Sequence, residues 1–335
     1  MLQLANKSPV AATMALLPDR GGVETLYVIV RATLALRPRL ALAPVQVPPA
    51  MADEYYDDPA TSSLKAVSDM HIGKPGTDVL LLGHAYAPRA RAATESLVSV
   101  SVAGRNKAIR VTGDRFWLDD GTPSAPQPFE SMPLVWERAY GGVHPLPGRV
   151  LAEERNPIGV GFTGGRSEAQ MAGQPVPNLE DPATSLQRIG QHATPACFAP
   201  VAAAWMPRRG FAGTYDAAWQ RKRAPYLPAD FDPRFFHCAA PELTFDRHLT
   251  GFEPVEIRGA TPDGPIAFTL PSTRPQVSVR VDGALERPPA RLETVLIEPD
   301  ENRLSLTWRA ALPCDRRAMS VEQVTVTLER TGSPA

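Results

Sequence analysis

The chain has few cysteines, and those it has are far apart. Cys197, Cys238 and Cys314 are odd in number and share no short spacing. A disulfide framework needs paired cysteines, and a zinc site of the Cys-x-x-Cys kind needs closely spaced ones. We therefore expect free thiols in a reducing compartment, and hence a cytoplasmic location.

A large net charge and a long apolar run are also absent. The 35 basic and 36 acidic side chains leave a formal net charge of -1. Such a balance provides no field to hold nucleic acid or an anionic membrane. No apolar stretch reaches the ~18 residues of a membrane span, and the N-terminus lacks the basic and apolar regions of a secretory signal. We expect neither a nucleic-acid partner nor a membrane.

Proline and glycine, in contrast, are abundant: 36 and 24 residues, about 18% of the chain, against a usual ~12%. Proline is excluded from helix interiors and central strands. With 43% hydrophobic residues, the chain can still bury a core rather than remain disordered. The composition predicts a mainly β protein with many short strands and long ordered turns.

Alternation of apolar and polar residues indicates where the strands lie. Residues 24–36, 97–102 and 277–281 alternate with period two, as do residues 304–308 and 324–328. The short apolar run after Asp78 suits a strand buried on both faces. Helix signals are few, at residues 201–206 and 216–223.

We expect two β-rich, sandwich-like lobes, at residues 1–128 and 241–335. A loop-rich segment, residues 129–240, lies between them in the sequence. The lobes could instead be two halves of one sheet system.

Two motifs are similar in sequence to phosphate-binding loops but lack the structural features that such loops require. Gly159, Gly161 and Gly164 have dinucleotide-loop spacing, but no strand precedes them and no helix follows. Lys74 lies in a turn where Pro75 removes an amide donor that a phosphate cradle would use. We therefore predict no cofactor, and a turn in which Lys74 or Asp78 contacts a neighbour.

The sequence offers little support for a metal site or for an acid–base catalytic site. None of the six histidines pairs with another at i+2 or i+4, so a metal site would have to be assembled by the fold. Asp57, Asp58 and Glu137 could supply carboxylates to a hydrolase acting on cell-wall or glycan material. A secreted glycan-binding β module is a further alternative.

Tryptophan, tyrosine and arginine side chains gather in the loop-rich segment. These residue types anchor protein interfaces, but they also pin loops to a protein's own core. Both interpretations stay open from the sequence. The predicted partner-binding residues are Trp117, Trp136, Tyr140, Asn156, Asn178, Trp205, Arg208, Trp219 and Tyr226.

An ordered series of motifs resembles one bacterial family nearly from end to end. The motifs are Ser62-Ser63-Leu64, Lys74-Pro75-Gly76-Thr77-Asp78, Gly113-Asp114-Arg115-Phe116-Trp117, Ala139-Tyr140-Gly141-Gly142, Asn156-Pro157-Ile158-Gly159, Pro177-Asn178-Leu179-Glu180 and Gly213-Thr214-Tyr215-Asp216. They are similar to those of the domain of unknown function 2169 family, typically encoded in type VI secretion clusters.

The resemblance implies a binding role without catalysis. Family members are thought to act as adaptors or chaperones that help load a toxin effector, through its PAAR-like tip domain, onto the VgrG spike. The implied partners are a PAAR-like spike-tip protein or effector, and the VgrG spike itself. No catalytic residues are implied, because the family has no established activity.

Overall fold

A computed structural model describes residues 3–88 and 91–329 and is mainly β, as the composition predicts. The strands are β1 (Gln3–Asn6), β2 (Ala11–Pro18), β3 (Glu24–Ala35), β4 (Ala41–Leu42), β5 (Glu54–Tyr55), β6 (Leu64–Ala66), β7 (Asp78–Leu81), β8 (His84–Tyr86), β9 (Glu95–Val102), β10 (Arg105–Thr112), β11 (Arg115–Phe116), β12 (Ser131–Pro133), β13 (Tyr140–Gly141), β14 (Val143–Leu146), β15 (Arg149–Ala152), β16 (Val160–Gly161), β17 (Pro175–Val176), β18 (Leu179–Glu180), β19 (Pro254–Arg258), β20 (Ile266–Thr269), β21 (Arg274–Val281), β22 (Ala284–Glu286), β23 (Arg291–Glu298), β24 (Arg303–Pro313) and β25 (Val321–Glu329).

Helices are short and few in the described part of the chain. α1 (Glu168–Met171) begins at a capping box, in which Ser167 and Gln170 bond to each other's backbone N–H groups. α2 (Ala217–Lys222) begins at Asp216, which accepts the Trp219 N–H, and matches the helix signal at residues 216–223. The signal at residues 201–206 is wrong, since the chain there forms turns between Pro200 and Pro207. The single-turn 3₁₀ segments include Trp136–Arg138, Arg208–Phe211, Pro233–Phe236, Pro241–Leu243 and Asp315–Ser320.

The largest sheet takes strands from both ends of the chain. Its order is β2-β3-β24-β23-β7, with β4 paired beside β3. β3 and β24 are antiparallel over eleven residue pairs, from Thr25 opposite Pro313 to Ala35 opposite Arg303. β7 joins the far side parallel to β23.

Two further sheets also combine distant segments. One has the order β1-β25-β21-β22, with β1 parallel to β25. The other has the order β18-β10-β9-β19-β20 and includes the hairpin expected at residues 97–111. The terminal regions, residues 1–128 and 241–335, are thus hydrogen-bonded into shared sheets. The three-part domain division stays a prediction about independent folding.

One hydrophobic core joins all three large sheets. It includes Val28 of β3, Val100 of β9, Val279 of β21 and Val326 of β25. Alternating residues of these strands face inward, as the period-two pattern predicts. A smaller core joins Trp117 to the loop-rich segment, from which it takes Tyr140, Met171, Val176, Leu186 and Ala193.

In the part of the chain that the structure describes, no helix combines the length and the apolar character needed to cross a bilayer.

Candidate protein-binding surface

Most of the predicted partner-binding residues lie inside the molecule. Trp136 donates its indole N–H to the carbonyls of Ala199 (3.1 Å) and Pro200 (2.9 Å). Its ring meets Trp205 edge-on, with the centroids 5.9 Å apart. Trp117 and Tyr140 are buried in the smaller core. All four rings are thus packed in the protein's own cores.

The polar members of the set are buried as well. The Asn156 amide donates to the carbonyls of Trp136 (2.8 Å) and Tyr140 (3.0 Å). Asn178 donates to the Thr112 carbonyl at 3.0 Å. Arg208 donates to the carbonyl of Val201 at 2.6 Å. Each side chain satisfies backbone carbonyls in loops or at the ends of strands, which is a structural role.

Seven of the nine predicted residues have almost no exposed side-chain surface, so the fold gives them a packing role, and partner contact itself stays a prediction. They are Trp117, Trp136, Tyr140, Asn156, Asn178, Trp205 and Arg208. Trp219 and Tyr226 keep accessible surface, so for these two the prediction stands.

The Gly-rich landmarks have a packing explanation. A Cβ on Gly141 would lie 2.0 Å from the Asn156 carbonyl oxygen, and one on Gly159 would lie 2.3 Å from the Asn156 amide nitrogen. Only glycine allows the backbone to approach Asn156 so closely. Beside these glycines lies an open surface cavity of about 370 Å³. The glycines at 159–164 thus form an ordered loop, with β16 at Val160–Gly161.

An exposed aromatic cluster lies around α2, and we call Tyr215, Trp219 and Tyr226 the aromatic ledge. The rings of Tyr215 and Trp219 meet edge-on with centroids 4.7 Å apart. The Trp219 indole N–H donates to the Tyr226 carbonyl at 2.9 Å. Tyr215 is 54% exposed and Tyr226 is 42% exposed. The ledge is both ordered and accessible.

The ledge is fixed to the turn between β2 and β3. The ring of Tyr226 packs over Gly22, where an added Cβ would lie 3.4 Å from it. Arg223 donates to the Arg20 carbonyl at 2.6 Å, and Arg20 donates to the Ala229 carbonyl at 3.3 Å. The aromatic ledge therefore lies at the end of β2.

β2 is an open edge of the largest sheet. The Cys314 N–H donates to the Glu24 carbonyl, so the backbone N–H and C=O groups of even-numbered β3 residues point toward β24. The Ala43 N–H donates to the Thr33 carbonyl, so those of odd-numbered β3 residues point to the other side, where β2 lies. In the observed register, the odd residues of β2 then bond β3. Its even residues Ala12, Met14 and Leu16 direct N–H and C=O outward, without a partner among the described residues.

A buried ionic cluster lies elsewhere, where β7 begins. Lys74 and His237 contact opposite oxygens of Asp78, each at 2.7 Å. The Cys238 N–H also donates to Asp78, at 2.8 Å. Burial disfavours the Asp78 carboxylate, but Lys74 and His237 outweigh this and hold its pKa well below the usual range. The expected contact of Lys74 or Asp78 with a neighbour is present.

Cysteine, histidine and aspartate meet in this cluster, and the thiol is buried with them. The Cys238 thiol lies 3.4 Å from Asp78. Burial raises the pKa of Cys238 to about 11, even though Lys74 opposes this. Burial also raises the pKa of Cys197, to about 12. Burial therefore keeps both thiols protonated near neutral pH.

A second buried set of charged and polar side chains lies on the same side of the largest sheet. Arg309 contacts Glu293 at 2.8 Å and His71 at 3.0 Å. The Gly73 N–H donates to Nδ1 of His71 at 3.0 Å. Burial, and then the cations Arg309 and Lys74, lower the pKa of His71 well below its usual value. His71 is therefore neutral in the folded protein.

The carboxylates considered for a hydrolase do not meet in a cleft. Asp57 and Asp58 have exposed side chains, and Asp58 accepts the Ala60 N–H at 2.8 Å within its own turn. Glu137 accepts hydrogen bonds from both the backbone and the hydroxyl of Ser63. The Asp58 and Glu137 carboxylates thus accept hydrogen bonds from loop backbone. In residues 3–88 and 91–329, no three His, Cys, Asp or Glu side chains group closely enough to hold a metal ion.

Comparison with known proteins places this mainly β chain among bacterial proteins. It belongs to the domain of unknown function 2169 family, whose description is "uncharacterized protein conserved in bacteria" and which matches residues 21–309. The family resemblance of the sequence motifs is thus confirmed. No curated protein and no solved structure gives a significant match.

Sequence reasoning missed the open edge of β2 and the part that Tyr215 has in the ledge. The signal for β2 was available: residues 11–17 carry no charged side chain and are almost wholly apolar. The signal for Tyr215 was weaker, because an aromatic residue has the same letter whether it is exposed or buried.

Proposed function

We propose that this protein is a cytoplasmic adaptor-chaperone of a type VI secretion system. It binds a PAAR-like spike-tip domain, or the effector that carries one, and promotes its loading onto the VgrG spike. The family membership and the ordered motifs support the proposal. The hydrogen bonds of the buried thiols and carboxylates to loop backbone also fit a protein that acts by binding.

The aromatic ledge is the observation that carries the proposal. Tyrosine and tryptophan are enriched at interface positions where truncation costs most binding energy. Here Tyr215 and Tyr226 hold such rings in fixed, accessible positions. A loading factor must release its cargo, and a ledge of three rings suits an interface of moderate size rather than a permanent one.

Co-expression with the PAAR-like protein of the same secretion cluster tests the proposal. We expect a complex that co-elutes on size exclusion. Replacing Tyr215 or Tyr226 with alanine should weaken it by about 2 kcal/mol. Tyr56→Ala is the matched control, because Tyr56 is similarly exposed, at 52%, but lies near Glu298 and Asp300, outside the ledge.

Trp136→Ala separates binding from folding in the same assay. The buried ring fills core volume, so its loss should lower the free energy of unfolding by about 3 kcal/mol or more. Binding should persist wherever the variant is folded. The proposal fails if wild-type protein and tip never co-elute and deletion of the gene leaves effector delivery intact.

A further inference from the structure

β2 is an unusually unprotected sheet edge. It has eight residues, whereas the edge strands β1 and β20 have four and β22 has three. Proteins normally guard a long edge with charged side chains, an internal proline or a bulge. β2 has no charged residue, its only proline is the terminal Pro18, and its register with β3 is regular.

We propose that an extended segment of the partner protein adds to β2 as a further strand of the largest sheet. The inference rests on the proposed function and specifies how the partner is held. Strand addition gives affinity through main-chain hydrogen bonds, and side chains beside the strand give specificity.

The unpaired backbone groups define the kind of occupant. Ala12, Met14 and Leu16 present N–H and C=O groups at every second residue, a repeat of about 7 Å. An extended polypeptide backbone offers complementary groups at that repeat. Because the side chains of β2 are apolar apart from Thr13, the matching segment is uncharged and largely apolar.

The aromatic ledge continues this surface beyond the strand. Tyr226 packs on Gly22, in the turn that follows β2. A segment that pairs with β2 and continues past Pro18 would reach this turn, where Tyr226 lies. The strand edge and the ledge form one contact surface for a single partner.

A second copy of this chain fits the same edge less well. Antiparallel self-pairing centred on Met14 would place residues 6–9 of one copy opposite residues 19–22 of the other. Each ledge would then face the polar stretch that contains Asn6, Lys7 and Ser8.

Two substitutions at one position test the inference in the full-length protein, with the co-expressed PAAR-like protein as the probe. Met14→Pro removes an outward N–H that β3 does not use, while Met14→Ala shortens the same side chain but keeps the N–H. We expect Met14→Pro to weaken the complex by about tenfold or more. We expect Met14→Ala to bind within about threefold of wild type.

Hydrogen exchange of the wild-type complex provides a readout that does not depend on how Met14→Pro folds. The amides of Ala12, Met14 and Leu16 should exchange fast in the free protein and slowly in the complex. Slow exchange of Thr13 and Ala15 in both states marks the intact β2–β3 pairing.

The outcomes separate this inference from the proposed function. If the complex forms but Met14→Pro binds as well as Met14→Ala, or the three amides gain no protection, strand addition is wrong and the adaptor role stands. If no complex forms even with wild type, both fall. A wild-type dimer in light scattering that Met14→Pro converts to monomer would assign the edge to a second copy instead.

Discussion

At the residue scale, buried polar side chains take the place of regular structure in the loop-rich segment. Asn156 donates to the Trp136 carbonyl and Asn178 to the carbonyl of Thr112, the last residue of β10. Arg208 donates to the Val201 carbonyl. A buried carbonyl without a partner costs free energy comparable to a lost hydrogen bond. These three residues therefore allow an irregular chain to be packed as tightly as a sheet.

His71 makes the stability of the fold sensitive to mild acid. The folded protein keeps the ring neutral among Arg309, Lys74, Arg208 and His237, whereas the unfolded chain takes up a proton near pH 6.5. Below that pH the unfolded state binds more protons, so the free energy of unfolding should fall as pH drops from about 7 to 5. At higher pH this contribution is fully present.

Chemical denaturation at several pH values measures this dependence, with His71→Gln as the comparison because glutamine cannot titrate. The variant should be less stable at pH 7 but show a smaller loss between pH 7 and 5. An equal loss in both proteins would assign the acid sensitivity to other groups. Asp78 contributes at lower pH: because its folded-state pKa is depressed, its stabilisation is present above pH ~4 and is lost as pH falls below that, where the unfolded chain takes up the proton first.

At the element scale, short pairings replace long strands wherever proline and glycine concentrate. β13 and β16 form a two-residue parallel pair, with Gly141 opposite Gly161. The turn before β16 wraps Asn156 so closely that Gly141 and Gly159 both touch it. Backbone proximity, rather than flexibility, explains why glycines occupy these positions.

Gly141→Ala should therefore destabilise the protein by at least about 2 kcal/mol. Its new Cβ would lie 2.0 Å from a backbone oxygen, which cannot move aside as a side chain can. Gly210→Ala is the matched control, because there the nearest atom is the side-chain methyl of Met206 at 3.4 Å. Thermal or chemical unfolding measures both variants, and an equal effect would contradict the packing argument.

The strand elements were the most predictable part of the molecule. The alternation of apolar and polar residues located β3, β9, β21, β24 and β25. In a half-buried strand every second side chain faces the core, so every second residue is apolar. The helix expected at residues 201–206 failed, since prolines at both ends and tertiary packing outweighed local propensity. α1, of four residues, was too short to show a period.

At the scale of the whole molecule, the two ends of the chain complete each other's sheets. β3 lies between β2 and β24, so the inner strand of the N-terminal region is paired on one side by the C-terminal region. β1 likewise pairs with β25. The continuous core makes cooperative unfolding of the whole chain the natural expectation.

Truncation tests this expectation. A fragment of residues 1–240 lacks β24, which pairs with β3, so it should expose Val28 and Val30 and fail to fold. Circular dichroism and the dispersion of amide signals in NMR would show this, with the full-length chain as control. Independent folding of residues 1–128 or 241–335 would instead support the two-lobe division predicted from the sequence.

Some features of the candidate site follow from neighbouring residues in the sequence, and others depend on contacts between distant segments. The sequence by itself determined the mainly β class, most of the long strands and their turns, because period-two burial and turn chemistry act over a few neighbouring residues. It also determined the family, through the ordered series of motifs. Only the tertiary structure decided that Trp136 and Tyr140 are core while Tyr215 and Tyr226 are surface. An aromatic side chain suits either environment, and the choice depends on which distant strands and loops pack against it.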